Sequence, residues 1–242
     1  MICLVTDFGL AGPYVGQMKV VLSREAPDIG VIDLLADAPA FDPRASAYLL
    51  AAYVDVFPAG SIFLCVVDPG VGSRRLPCVV RADRRWFVGP DNGLFELIMR
   101  RARTTRAWRI DWQPHRLSST FHGRDLFAPV AARLARGAPP PGCPIDVDDL
   151  RHPNWPDDLA QVVYIDGYGN AITGLRAAAL PADAGVTLRG TRLGRARTYS
   201  DLPEGAAFCY ENANGLLEIA VNRGRAADVL GVRVGTPVTV AL

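Results

Sequence analysis

Five short motifs carry side chains able to do chemistry. In Thr6–Gly9 (TDFG), Asp7 ends an apolar run, and ligands of open α/β sheets bind at that edge. The same acid would serve equally well as a turn former capping the next helix. In Asp68–Arg75 (DPGVGSRR), a second apolar run ends in an acid, then two glycines that allow close backbone approach to a ligand, then an arginine. The third glycine of a dinucleotide fingerprint is missing, and an ordinary βα turn with surface arginines has the same pattern. Phe121–Pro129 (FHGRDLFAP) sets His122 at a loop-to-helix entry, where a lone histidine most often serves structure; Arg124 and Asp125 read as an ion pair or a cap. Ile165–Thr173 (IDGYGNAIT) combines Asp166, Tyr168 and Asn170, an acid, an aromatic face and an amide. That set suits an amine, a ring and polar edges, or simply a Gly-rich hairpin turn. Tyr210–Gly224 (YENANGLLEIAVNRG) sets Glu211, Asn212 and Asn214 in a turn between strands, where Asn and Gly serve the backbone. A loop that reads adenine is the sharper alternative.

The elements that must position these motifs follow from the hydrophobic pattern. MICLVTDF, IGVIDLLAD and SIFLCVVDPGVGS read as strands, the first nearly continuous in apolar residues, as burial on both faces demands. VGQMKVVLSREAP, PRASAYLLAAYVDVFP and LFELIMRRAR have helical spacing. LPCVVRADRRWFVGPDNG reads as a hairpin with Asp83 near its turn, and TFHGRDLFAPVAARLARG as a loop becoming a helix that ends at Gly137. The order predicts an N-terminal α/β domain with a mostly parallel sheet over residues 1–156. The Pro-rich stretch from Ala138 to Asp158 resists regular structure and reads as a linker. Residues 157–242 show short apolar runs between Gly, Asn and Asp, the pattern of a smaller all-β, barrel-like domain.

Composition narrows the function. The 242 residues carry a formal net charge of +1, which argues against a nucleic-acid partner. Charges or Pro interrupt every apolar stretch, so no membrane span is expected, and the start lacks the basic region of a secretion signal. The expected location is the cytoplasm. Arg100, Arg101, Arg103, Arg106 and Arg109 read as a solvated helix face leading into a strand. The cysteines (Cys3, Cys65, Cys78, Cys143, Cys209) form no CxxC pair and read as free thiols in a reduced compartment; with His115 and His122 also unpaired, no metal is expected.

Taken together and in order, TDFG, PYVGQMK, APAFDPRASAYLL, VVDPGVGSRR, VGPDNGL, FHGRDLFAP, DGYGN and ENANGLLEIAVNRG make the chain resemble the S-adenosylmethionine (SAM) hydroxide adenosyltransferases, relatives of the fluorinase and chlorinase enzymes. The resemblance covers nearly the whole length. It implies hydrolysis of SAM to adenosine and L-methionine, with Asp68, Arg75 and His122 as the catalytic set and no cofactor. It also implies a substrate pocket drawn from Asp7, Phe8, Phe41, Asp42 and Asn92 on one side, and from Asp166, Tyr168, Asn170, Glu211, Asn212 and Asn214 on the other. The implied partner is the small-molecule substrate alone, in a homotrimer with sites between subunits.

The chemistry fits these residue types. Water is a poor nucleophile, so a base is needed; an imidazole with an ordinary pKa of about 6.5 can accept a proton near neutrality. Arg75 can stabilise developing hydroxide. The sulfonium leaves as a neutral thioether and needs no acid. A halogenase is the first alternative, but a carboxylate beside the ribose 5′ carbon would repel a halide by about 1 kcal/mol or more. A non-catalytic SAM or adenosine sensor is the second. Gly12 stands where most relatives carry an aspartate associated with the ribose hydroxyls, so the expected weakness is in substrate affinity.

Overall fold

The computed structural model describes residues 1–241, which form two compact units, Met1–Pro153 and Asn154 onward. The sequence pattern sets the boundary near Asp157, a few residues later.

The first unit is built on a seven-stranded sheet. Its strands are β1 (Ile2–Thr6), β2 (Val31–Leu35), β3 (Ile62–Val66), β4 (Pro77–Ala82), β5 (Arg85–Pro90), β6 (Thr105–Ile110) and β7 (Gly142–Ile145), in the spatial order β2-β1-β3-β5-β4-β6-β7. The four strands from β2 to β5 run parallel. The β4–β5 hairpin turns the sheet over, so the remaining three ladders are antiparallel. Asp83 takes a positive φ of 50° at that hairpin turn, where aspartate is tolerated. The α/β character expected from the sequence is present, with a mixed sheet.

Helices α1 (Tyr14–Glu25), α2 (Pro43–Tyr53), α3 (Glu96–Arg101) and α4 (Ala128–Ala135) complete the unit. Strand side chains alternate between faces. Ile2, Leu4, Ile62, Leu64 and Val66 therefore share one core with Val15, Met18 and Leu22 of α1 and Val130, Ala131 and Leu134 of α4. On the alternate face, Phe63 stacks on Phe87 at 5.0 Å. A π turn, Gly123–Phe127, leads into α4 and starts just after His122.

Two expectations need correction. The Pro-rich stretch is not only a linker: β7 lies within it as an edge strand on β6, with Pro144 opposite Trp108. An edge strand tolerates proline because one row of its backbone groups needs no partner. The stretch is then pinned by Glu96, which is wholly buried and accepts from Arg100 Nη2 (2.6 Å), Arg151 Nε (3.1 Å) and the His152 backbone N–H (2.8 Å). Arg100 is correspondingly not on a solvated face; it compensates a buried carboxylate.

The second unit is built mainly of antiparallel β-strands. Strands β8 (Leu159–Ile165), β9 (Ala171–Arg176), β10 (Gly185–Leu188), β11 (Thr191–Leu193), β12 (Ala207–Glu211), β13 (Leu216–Val221) and β14 (Thr239–Ala241) form two sheets, β12-β13-β9-β8 and β11-β10-β14. Bridges between Gln161 and Pro237, and between Arg195 and Cys209, join the sheets along both borders. The ring so closed surrounds one core of residues such as Val162, Leu175, Val186, Cys209 and Ile219.

Candidate functional site

Parallel pairing of β1 with β3 sets the first part of the site. Their register matches Thr6 with Val66, so Asp7 and Asp68 leave the same sheet edge within a residue or two of each other. The loop after β3 then folds back on itself. Gly72 holds φ +79°, and a Cβ there would lie 2.6 Å from the Ser119 carbonyl oxygen, so only glycine fits without displacing the neighbouring loop. This turn returns Arg75 to Asp68. The Arg75 Nε donates to Asp68 Oδ1 at 2.9 Å, and Nη2 donates to Asp68 Oδ2. The same Nη2 lies 2.9 Å from His122 Nδ1, and the guanidinium sits 5.3 Å above the Phe127 ring. Both charged side chains are nearly buried, Asp68 at 4% exposure and Arg75 at 9%.

Arg75 therefore stands between the other two. It cannot give up a proton, so Nδ1 of His122 must accept, which puts the imidazole proton on Nε2. Burial first, and the Arg75 charge second, hold the His122 pKa below its ordinary 6.5, against the opposing pull of Asp68 and Asp125. The ring is neutral near pH 7. The link from Asp68 to the imidazole runs through Arg75.

Asp68 and His122, with Arg75 behind them, border a cavity of about 810 Å³, lined also by Asp7, Phe8, Phe41 and Arg124. Cavities of this order hold small ligands. Asp7 Oδ2 accepts from the Phe41 backbone N–H at 3.0 Å. That bond stabilises Phe41 in the left-handed region (φ 59°), unusual for a bulky residue, and the residue is 76% exposed. Desolvation raises the Asp7 pKa, the Phe41 N–H opposing it.

Other expected pocket residues have structural duties. Asp42 caps α2 by accepting from Ala45 N–H at 2.9 Å. Asn92 donates to the Val67 carbonyl (2.9 Å) and accepts from Leu94 N–H, tying the loop after β5 to the end of β3. Neither is among the residues lining the cavity. The motif reading missed Tyr14, Gln17 and Phe121, which do line it. Phe8, Tyr14 and Phe121 form an aromatic trio with centroids 5.5–5.8 Å apart. Gln17 accepts from Arg124 Nη1 at 2.9 Å, and Arg124 also pairs with Asp125. The available signal was the i, i+3 spacing of Tyr14 and Gln17, which puts both on one face of α1.

In the second unit, Asp166 organises its own turn. Its Oδ1 accepts from the N–H groups of Tyr168 (2.9 Å) and Asn170 (2.8 Å), and Oδ2 from Asn170 Nδ2 (3.2 Å). Tyr168 is 81% exposed. Tyr168, Asn170 and Tyr199 border a second cavity of about 480 Å³. Glu211 pairs with Arg195 at 3.4 Å on the surface. Asn212 Oδ1 accepts from Asn214 N–H (2.9 Å) and Leu216 N–H (3.1 Å), while its Nδ2 donates to Glu218 Oε2 (3.0 Å). The Asn212 carbonyl oxygen is thus engaged in its own turn and its amide nitrogen with Glu218, and Asn214 takes part in the same turn through its backbone. Glu218, a lone acid in the apolar run LLEIAV, was overlooked. It is 4% exposed, and burial pushes its carboxyl pKa up while the Tyr210 and Asn212 donors oppose that rise.

Among the described residues, no cluster of three His, Cys, Asp or Glu side chains is arranged to hold a metal ion, and no helix is long and apolar enough to cross a membrane.

Known proteins resemble the chain throughout. The SAM hydroxide adenosyltransferase N-terminal domain matches residues 2–143, and the C-terminal domain of the same family matches residues 160–239. A protein of Thermus thermophilus named (R)-S-adenosyl-L-methionine hydrolase is 41% identical, the match covering 97% of this chain and 96% of the relative. A Salinispora arenicola protein of the same name is 39% identical, covering 97% and 95%. A fluorinase of Nocardia brasiliensis is more distant, 22% identical over 99% and 96% of the two chains. The crystal structure of an uncharacterized conserved protein from Thermotoga maritima superposes with a TM-score of 0.90 at 30% identity, covering both chains completely. That of a conserved hypothetical protein from Thermus thermophilus gives 0.79 at 39% identity, covering 99% and 98%.

Proposed function

The chain belongs to the SAM hydroxide adenosyltransferase family, and from that premise we propose that it hydrolyses S-adenosyl-L-methionine to adenosine and L-methionine at the Asp68–Arg75–His122 cluster. The observation that carries the assignment of the site is the buried contact of Arg75 with both partners beside a ligand-sized cavity.

In this reading, water held against the cluster attacks the ribose 5′ carbon in line with the departing sulfur. The C–S electron pair stays on sulfur, giving the neutral thioether. The neutral His122 imidazole takes the water proton at Nδ1 as its contact with Arg75 opens, and the imidazolium returns a proton to solvent from Nε2. Arg75 stabilises the oxygen as it gains hydroxide character. Asp68 offsets the Arg75 charge and, through it, favours the transient imidazolium. Positive sulfonium and developing hydroxide cancel as they meet, so a cavity that admits few waters assists the step. Phe8, Tyr14, Phe41 and Phe121 offer aromatic faces for a purine or a sulfonium. The relatives' name specifies the R configuration at sulfur, and the same epimer is the proposed substrate here.

Hydrolysis of SAM in oxygen-18 water tests the reaction. Label is expected in the 5′ hydroxyl of adenosine; unlabelled adenosine would overturn the mechanism. Offering both sulfonium epimers should deplete the R form first. A homotrimer in the cytoplasm, with sites shared between subunits, is part of the proposal. It requires specific activity to fall on dilution; a monomer with undiminished activity would exclude it.

A further inference from the structure

A line of polar side chains crosses the interior of the second unit and ends at its cavity. Asn170 Nδ2 donates to Tyr199 Oη at 3.0 Å. Tyr199 Oη and Tyr210 Oη are 3.1 Å apart. Tyr210 Oη donates to Glu218 Oε1, and Asn212 Nδ2 to Glu218 Oε2. Each phenol has one proton. Because Tyr210 gives its proton to Glu218, the Tyr199 proton must go to Tyr210, and the lone pair of Tyr199 faces the Asn170 amide. Every donor in the line points toward Glu218. The other end, Asn170, lines the cavity.

We propose that Glu218 is a positioning residue: as terminal acceptor of the Asn170–Tyr199–Tyr210 line, it fixes which face of the Asn170 amide the substrate meets. This rests on the reading of Asn170 as a substrate-contacting side chain in a SAM hydrolase. Glu218 itself reaches no substrate; it acts on the Asn170 amide through the two phenols and by its own proximity to that amide. A buried acid that served the fold alone would need its hydrogen bonds satisfied, but the direction of the bonds at Tyr199 would be immaterial.

The direction is what a conservative substitution reverses. In Glu218→Gln, one acceptor becomes an N–H₂ donor. Asn212 cannot turn to meet it, because two backbone N–H groups hold its Oδ1. The new donor must therefore face Tyr210. Tyr210 then accepts and hands its own proton to Tyr199, and Tyr199 turns its proton toward Asn170. Asn170 can answer only by presenting its carbonyl oxygen, which would bring that oxygen against Asp166 Oδ2, now bonded to its Nδ2. The amide at the cavity wall is left either flipped or opposed.

Two readouts test this, one independent of turnover. Glu218→Gln is expected to raise the KM for SAM about tenfold, the order of one misdirected hydrogen bond to a charged or strongly held group, with kcat nearly unchanged. Tyr210→Phe cuts the line without reversing it. Adding Glu218→Gln to that variant should then raise KM by much less than it does in the wild type. In parallel, the side-chain amide signals of Asn170 in a nitrogen-15 spectrum, identified by their loss in Asn170→Asp, should move further in Glu218→Gln than between Tyr210→Phe and the double variant. Equal effects of Glu218→Gln in both backgrounds, or a change in melting temperature with unmoved Asn170 signals, would overturn the proposal. A wild type that fails to hydrolyse SAM would overturn the assigned function while the amide signals still decide the positioning role.

Discussion

Replacing Asp68 by asparagine removes a charge and almost no volume. Asp68 and Arg75 are 4% and 9% exposed, so solvent screens their pairing little. Breaking a buried pair by removing one partner costs about 3–5 kcal/mol, because the other charge is left uncompensated. The amide keeps one acceptor for Arg75 but turns a donor toward its second nitrogen, so a loss of about 3 kcal/mol is expected. Replacing both residues, as Asp68→Leu with Arg75→Met, removes the stranded charge; that double variant should be more stable than Asp68→Asn despite its two changes. Hydrolysis should fall at least about 100-fold in either, the scale of losing a preorganised electrostatic group. Urea unfolding followed by tryptophan fluorescence reads mainly the first unit, which holds Trp86, Trp108 and Trp112, while Trp155 lies beyond it. Adenosine release, separated by chromatography, reads the activity. A single variant within about 1 kcal/mol of wild type, or a double variant less stable than the single, would refute the argument.

The pH profile follows from His122. The neutral imidazole is the base, so activity is present above its folded pKa and is lost as pH falls through it. That pKa is held below 6.5 by burial and by Arg75; the acid limb of kcat/KM should lie below pH 6.5, and a limb above 6.5 would contradict it. Asp68 raises the His122 pKa, so in Asp68→Asn the residual activity should lose its acid limb at still lower pH. Gly12→Asp should tighten adenosine binding in isothermal titration, because an acid there can meet the ribose hydroxyls and its Cβ comes no nearer than 3.4 Å to Tyr14; unchanged affinity would count against a ribose site at that loop. Gly72→Ala should cost more than about 1 kcal/mol, from its positive φ and the collision with Ser119, and should lower turnover by shifting the Arg75 loop. Gly70→Ala is the control: its added Cβ makes only ordinary contacts, the nearest at 3.4 Å, and both stability and turnover should hold.

Much of this protein is decided by local pattern. The apolar runs ending in Asp7 and Asp68 specify buried strands, because such residues are stable only when both faces are covered. The ordered motifs identify the family, and with it the reaction. The Arg124–Asp125 pair was readable because its partners are adjacent in the chain, and Asp83 because its place between two apolar runs marks the turn. What local pattern could not fix was the partner of any side chain whose contact is distant in sequence. Arg75 reads as a surface arginine until Gly72 folds its loop back and His122, 47 residues away, comes within 2.9 Å. Asp42, Asn92 and Asn212 read as ligand groups, yet nearby backbone N–H groups claim them, because a turn or helix end must satisfy its own donors first. Pro144 reads as a strand breaker, and only its place at the edge of the sheet allows it to pair. Glu218 is one acid in an apolar strand whose nearest donors, Tyr210 and Asn212, come from its own hairpin, but only the tertiary structure brings Asn170 and Tyr199 onto that line and buries the carboxylate where the fold supplies its donors.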